Sequence, residues 1–140
     1  MSDLAQAIAE TAEEFVESCR GRTNDGLDYS EASLDLVEEL LAEAHGFIDD
    51  EKHIESIARG AGCYILEVGR REFGGAYFWL EQRDQPVLVV GEPVFHVAMV
   101  TWDKTRGRLA GDTGDNIPYF YAGFRDSARK GEPGKRMLYV

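Results

Sequence analysis

Cysteine, cationic side chains and long apolar runs are all scarce in this chain, and each scarcity narrows what it can be. Cys19 and Cys63 are the two cysteines among 140 residues. Both sit at apolar-patterned helical positions, and their separation matches neither a metal-binding spacing nor a disulfide framework. Reduced thiols are therefore expected, as in a cytoplasmic protein. Lysine and arginine number 15 against 26 aspartates and glutamates, for a net charge of −11. Nucleic-acid binding needs a basic face to neutralise phosphate, so this balance argues against it. The same balance disfavours an anionic membrane surface and leaves room for a basic protein partner. No apolar run approaches the ~20 residues that span a bilayer. The acidic start, MSDLAQAIAETAEEF, lacks the basic region and long apolar core of a secretory signal. No repeat, low-complexity tract or linker interrupts the chain, so residues 1–140 read as a single globular domain. Eleven arginines against four lysines, with plentiful Ala, Gly, Asp and Glu, fit a GC-rich genome.

What the chain does have is an organising stretch from Asp49 to Gly75. Asp49 or Asp50 is placed to cap a helix, and Glu51 puts negative charge at its positive end. Ile54, Ile57, Ala58, Ala61, Ile65 and Val68 form one apolar face, and Gly62, Leu66, Gly69 and Phe73 a second. A helix apolar on two faces is buried between layers. Its interior glycines each cost about 1 kcal/mol against alanine, which points to close approach of another element. Gly74 and Gly75 then turn the chain into a strand. Cys63, Glu67 and Arg71 share the remaining face, where Glu67 and Arg71 have the spacing and order of an ion pair. A cleft holding a thiol, an acid/base and an anion-binding arginine is the sharper account of that face. An ion pair beside a packed thiol is the plainer one, and it is favoured here.

Helices are also expected before this stretch. Leu4, Ile8, Ala12, Phe15, Val16 and Cys19 mark one, capped by Asp3, and Leu34, Val37, Leu41 and Ala44 mark another, capped by Ser30 with a Tyr29–Leu34 staple and ended by Gly46. His45, Asp49 and His53 are spaced by four, but a break at Gly46 removes the shared face a metal site needs, so no metal is assigned. Beyond the central helix, AYFWL (76–80) and VLVV (87–90) read as an antiparallel hairpin. Residues 94–106 fit either periodicity, with Val94, Val97 and Ala98 on a helical face and Phe95, Val97 and Met99 on a strand face. We take them as a helix. Asp115 or Asn116 caps a last helix carrying Ile117, Phe120, Tyr121, Phe124 and Ala128, with Pro118 in its first turn. Met137–Val140 can add a short strand to the hairpin. The fold class is thus α+β, with three N-terminal helices around the buried central helix, a small antiparallel sheet of two or three strands, and two C-terminal helices.

Four stretches, LDYSEASLDLVEELL (27–41), GCYILEVGRREFGGAYFW (62–79), PVLVV (86–90) and GDNIPYFYAGF (114–124), together resemble a loose family of uncharacterised bacterial proteins. Its members start a helix with an LDYS-like motif and carry a G-x-Y-x-x-E-V-x-R-R helix, a Gly-Gly turn and an aromatic strand. The match here falls on Gly62, Tyr64, Glu67, Val68, Arg70, Arg71, Gly74 and Gly75. The family carries no established activity. Related small acidic proteins are often encoded near polymorphic secreted toxins, so the resemblance implies an immunity or accessory-binding role.

No nucleophile elbow, zinc motif, phosphate loop or dinucleotide fingerprint is present, so no catalytic residue and no cofactor is assigned. The expectation is a non-catalytic protein-binding module of a bacterial cytoplasm, whose partner the sequence does not identify. The alternative is a protein binding an anionic small molecule, or an enzyme acting on one. Its site would be Glu67, Arg70, Arg71, Tyr77 and Trp79, at the junction of central helix and hairpin, where arginine can grip a carboxylate or phosphate. A homodimer is the third reading, because exposed aromatic strand edges can pair.

Overall fold

The computed structural model describes residues 2–114 and 116–140. Helix α1 (Asp3–Thr23) opens the chain, capped by Ser2, whose hydroxyl accepts from Ala5 N at 3.1 Å. Asp3, expected as the cap, lies inside the first turn. A 3-10 turn (Glu31–Ser33) is capped by Ser30 and leads directly into α2 (Leu34–Phe47). Gly46 does not end α2, which continues one residue further and stops at Ile48. Helix α3 (Glu51–Phe73) is the central element: its start is exposed or half-buried, and every residue from Gly60 to Gly69 is buried. The chain then forms β1 (Ala76–Leu80), β2 (Gln85–Val90), β3 (His96–Met99), α4 (Trp102–Leu109), α5 (Ile117–Lys130) and β4 (Arg136–Tyr139). Asn116 caps α5 by accepting from Tyr119 N at 2.8 Å, with Pro118 in the first turn. Asp115, the other candidate for that cap, lies outside the described residues.

The sheet has the order β1-β2-β3-β4. β1 pairs antiparallel with β2, and β2 with β3, whereas β4 runs parallel to β3. Three expectations are corrected here. Two α-helices, not three, precede the central one, the Glu31–Ser33 stretch being a 3-10 turn. The sheet is four-stranded and mixed rather than a small antiparallel one, because β4 returns by way of α5 and lands in the same direction as β3. Residues 94–106 are not one helix: 96–99 are strand and the helix starts only at Trp102. His96, Val97, Ala98 and Met99 alternate about the strand axis, and Val97 and Met99 pack beside Val90 and Leu88 of β2. Pairing with a long neighbouring strand outweighs the weak helical periodicity of so short a segment.

Helix α3 packs on one face of this sheet against β2, and α1 packs along α3 and also touches β1. Gly69 lets α3 approach closely, since a Cβ there would stand 2.7 Å from Met99 Cε and 3.0 Å from Leu88 Cδ2. Gly62 does the same for α4, where a Cβ would meet Trp102 Cδ1 at 2.5 Å. Two threonine hydroxyls fasten α4 to α3: Thr101 donates to Gly62 O and Thr105 to Ala58 O, both at 2.7 Å. Glu38 of α2 holds the buried Arg108 of α4 and accepts from Ile117 N at 2.9 Å, so one carboxylate joins α2, α4 and the start of α5.

Candidate functional site

The junction of α3 and β1 brings three of the five expected site residues together. Glu67 is 1% exposed. Its carboxylate accepts from the Tyr77 hydroxyl at 2.6 Å and from Arg70 Nε at 2.9 Å. Burial, and then the bond to Glu67, hold the Tyr77 phenol far above its ordinary value. The expected Glu67–Arg71 pair is not formed. Residue 70, at i+3, turns its guanidinium to Glu67, while residue 71 points past it. A buried carboxylate engaged by one phenol and one half-buried arginine is a satisfied strut between helix and sheet. Cys63, one turn earlier, has its thiol pushed up to about 11 by burial, which removes the thiolate that nucleophilic chemistry requires.

Arg71 has a different partner. Its guanidinium lies 3.6 Å from the centroid of the Tyr29 ring, and Tyr29 in turn stacks on Tyr64 at 4.8 Å. The Tyr64 hydroxyl accepts from Tyr29 N at 2.8 Å and shares a hydrogen bond with Ser33, while Tyr29 donates to Glu13 at 2.8 Å. Tyr29 has a φ of 66°, a left-handed conformation that a bulky side chain adopts only under constraint from its surroundings. The LDYS stretch and the G-x-Y-x-x-E-V-x-R-R stretch, far apart in the chain, therefore meet in one stack. Sequence reasoning placed Tyr29 as a helix staple and missed this role, because nothing local to residue 29 signals a partner at 64 or 71.

Trp79 stands away from both groups. It packs edge-on against Trp102, at 5.9 Å between centroids, and Trp102 also lies under Arg59 at 4.9 Å. Glu55 binds Arg106 at 2.6 Å and Arg59 at 2.9 Å beside it. The bond from Arg106, reinforced by Arg59, draws the Glu55 carboxyl down to about 2.

The opposite face of the sheet carries a feature that the sequence reading passed over. Strand alternation sends Tyr77, Leu88, Val97 and Met99 toward α3 and α5, and Phe78, Val87, Val89 and Ala98 the other way. Val87, Val89, Ala98 and Val100 make a second apolar cluster, separate from the main core, with Leu80 packed against it. The hollow beside it is lined by residues of the four strands. Phe78 on β1 is 55% exposed and Leu138 on β4 is 45% exposed, and between them runs a groove of about 490 Å³. Trp79 reaches its edge, but Glu67, Arg70 and Arg71 do not line it. The signal was present in the sequence of β2, whose Val87-Leu88-Val89-Val90 is an unbroken apolar run. A strand with one wet face alternates, whereas a continuous apolar run marks a strand covered on both.

Among the described residues no group of three histidines, cysteines, aspartates or glutamates is placed to hold a metal ion, and no helix is long and apolar enough to cross a membrane. His45, the first of the three spaced residues, instead turns Nδ1 to Leu109 O at 2.8 Å. Comparison with family models, curated proteins and solved structures finds no match.

Proposed function

We propose that this chain is a non-catalytic protein-binding module, of the immunity or accessory kind, working in a bacterial cytoplasm, and that it meets its partner through the open face of the sheet. One observation carries this reading: a four-stranded sheet whose second face has its own apolar cluster, crested at its two edges by half-exposed Phe78 and Leu138. Contiguous exposed apolar surface on a monomer marks an interaction site more often than chance packing. The test is affinity capture with the wild-type chain and with a Phe78→Ser/Leu138→Ser double variant, from lysate of the source organism. A stoichiometric protein retained by the first and lost by the second supports the reading. Equal retention by both moves the interface elsewhere.

Arg71 favours one alternative, a site for a small anion at the helix–sheet junction. Arg71 is exposed, its guanidinium carbon lies 3.6 Å from the Tyr29 ring centroid, and it is paired with no carboxylate among the described residues. That reading requires phosphate or citrate to raise the melting temperature of the wild type and not of Arg71→Ala.

A further inference from the structure

The strand order β1-β2-β3-β4 leaves β1 and β4 with one free edge each. A free edge presents unpaired backbone groups and is ordinarily blunted by charge, proline, a bulge or shortness. β4 has four residues and opens on Arg136. β1 has no such device: AYFWL (76–80) is apolar throughout and pairs with β2 without a bulge. Helix α1 touches β1, yet Ala76, Phe78 and Trp79 stay exposed.

The register shows which backbone groups of β1 face outward. Along an antiparallel pair, residues that exchange both bonds with the opposite strand alternate with residues that turn N–H and C=O away. Trp79 stands opposite Pro86, which has no N–H to give. Ala76, Phe78 and Leu80 therefore bond to β2, and Tyr77 and Trp79 turn their N–H and C=O to the free edge. These outward groups bond to no other part of the chain among the described residues. The flanks of the strand add two exposed side chains of opposite sign. Arg71, in the last turn of α3, has no carboxylate partner among the described residues, and Glu81, just past the end of β1, has no cationic one.

From this edge we infer that β1 pairs with β1 of a second copy, antiparallel about a two-fold axis through Phe78, so that the two sheets become one. In that register Tyr77 of each copy faces Trp79 of the other, and the outward backbone groups of both strands are used. Phe78, 55% exposed in the single chain, meets its own equivalent in the closer kind of cross-strand pair and is covered. Gly75 falls opposite Glu81 of the second copy. Arg71, which precedes the Gly74–Gly75 turn, is thereby brought toward that carboxylate, and symmetry makes the contact twice. Parallel pairing would instead set Arg71 by Arg71 and Glu81 by Glu81. A foreign strand would satisfy the backbone but must bring an acid at one end and a base at the other, which β1 and its flanks supply to themselves. The net charge of −11 on each copy opposes association, and the two ion pairs offset this at the contact. The inference is independent of the protein-binding reading, because edge pairing leaves β2, β3 and β4 free on the outer face.

Sedimentation equilibrium of the full chain tests this. The wild type should dimerise, and amide exchange should show the N–H groups of Tyr77 and Trp79 protected in proportion to the dimer formed. Phe78→Lys sets two like charges on the axis and should give a monomer that melts like the wild type. Arg71→Glu and Glu81→Arg should each weaken the dimer about tenfold or more, since two pairs are reversed at once. The double swap Arg71→Glu/Glu81→Arg should restore it, which a purely structural role of either residue would not. Leu138→Ser, on the far edge of the sheet, should leave the dimer intact while it weakens partner capture under the protein-binding reading, so the two ideas fail separately. A wild type that stays monomeric at the concentrations of a nuclear magnetic resonance sample overturns the inference. So does a dimer that the swap does not restore, or one that Leu138→Ser dissociates, because the second copy then sits elsewhere.

Discussion

The two faces of the sheet are made by the same four strands, yet they differ in what their side chains do. The inner face presents Tyr77, Leu88, Val97 and Met99 to α3 and α5, and α3 answers with a glycine at the point of closest approach. Large side chains meet a backbone pared down to receive them, and the Glu67–Tyr77 bond adds a polar strut within that layer. The outer face reverses the sizes, with small residues on the central strands and large ones at the edges. It has its own, smaller apolar cluster, separate from the main core. Interior packing is dense because each knob has a socket. On the outer face the cluster itself is buried, and what stays in water is the pair of crests, Phe78 and Leu138; under the proposed function recognition belongs to these.

The largest expected effect breaks the comparison on the inner side. Leu88→Ala removes a fully buried side chain facing α3 and should cost about 2–5 kcal/mol. Val87→Ala, its neighbour on the outer side, deletes two methyls from a small cluster and should cost about 1–2 kcal/mol. Urea titrations of the two variants, with unchanged slopes, give both numbers. Equal losses would mean that the outer floor is as tightly packed as the core.

Next in size is the strut. Glu67→Ala leaves the buried Tyr77 hydroxyl without its acceptor and should cost about 1–3 kcal/mol. The larger penalty of stranding a buried cation does not apply, because the partner is Arg70, a third exposed, and it can rehydrate. Adding Tyr77→Phe to Glu67→Ala should recover most of the loss in the same melts, since the phenol then has nothing left unsatisfied. No recovery would show that Glu67 acts through some other contact.

A pH titration sharpens the contrast from the side of α3 and α4, which belong wholly to the packed half of the molecule. Glu55 is lowered in the folded chain from 4.5 to about 2 by Arg106 and Arg59. A lowered folded value gives stability that is present above the unfolded value and is lost as pH falls through the folded one. The wild type should therefore lose the contribution of Glu55 between pH 4.5 and about 2. Glu55→Gln should flatten that part of the acid-unfolding curve, while Phe78→Ser leaves the curve's shape unchanged. The effect is modest, because the pair is partly solvated.

Much of the packed half was legible in the chain. The periodicity of residues 54–68 predicted a helix buried on two faces, and α3 is one. Its interior glycines predicted close approach, and Gly62 and Gly69 have it. Ser30 and Asn116 act as caps where short-range rules place them. What sequence did not reveal is whatever depends on partners distant in the chain. Strand β3 was read as helix because four residues carry too little periodicity, and its identity comes from pairing with β2. The direction of β4 is set by where α5 delivers it. At the candidate site, Glu67 was recognised but given the wrong arginine, since Arg70 and Arg71 both lie within helical reach and only the packed surroundings choose. The outer groove was half legible: the unbroken apolar run of β2 was read as an ordinary hairpin strand, although such a run signals cover on both faces.

The smallest expected effect on stability is the most informative about function. Phe78 and Leu138 are about half exposed and touch the groove from its two walls. Replacing both with serine removes apolar surface that already faces water, so the melting transition should move by no more than about 0.5 kcal/mol, the range of ordinary surface changes. Binding should behave oppositely, because half-exposed aromatic and aliphatic crests are buried only when an occupant arrives. A double variant that melts like the wild type yet no longer retains the partner separates the faces by experiment. If the same variant instead unfolds several kcal/mol more easily, the crests are structural. The outer cluster is then a second core, and the recognition surface must be sought where Arg71 lies on Tyr29.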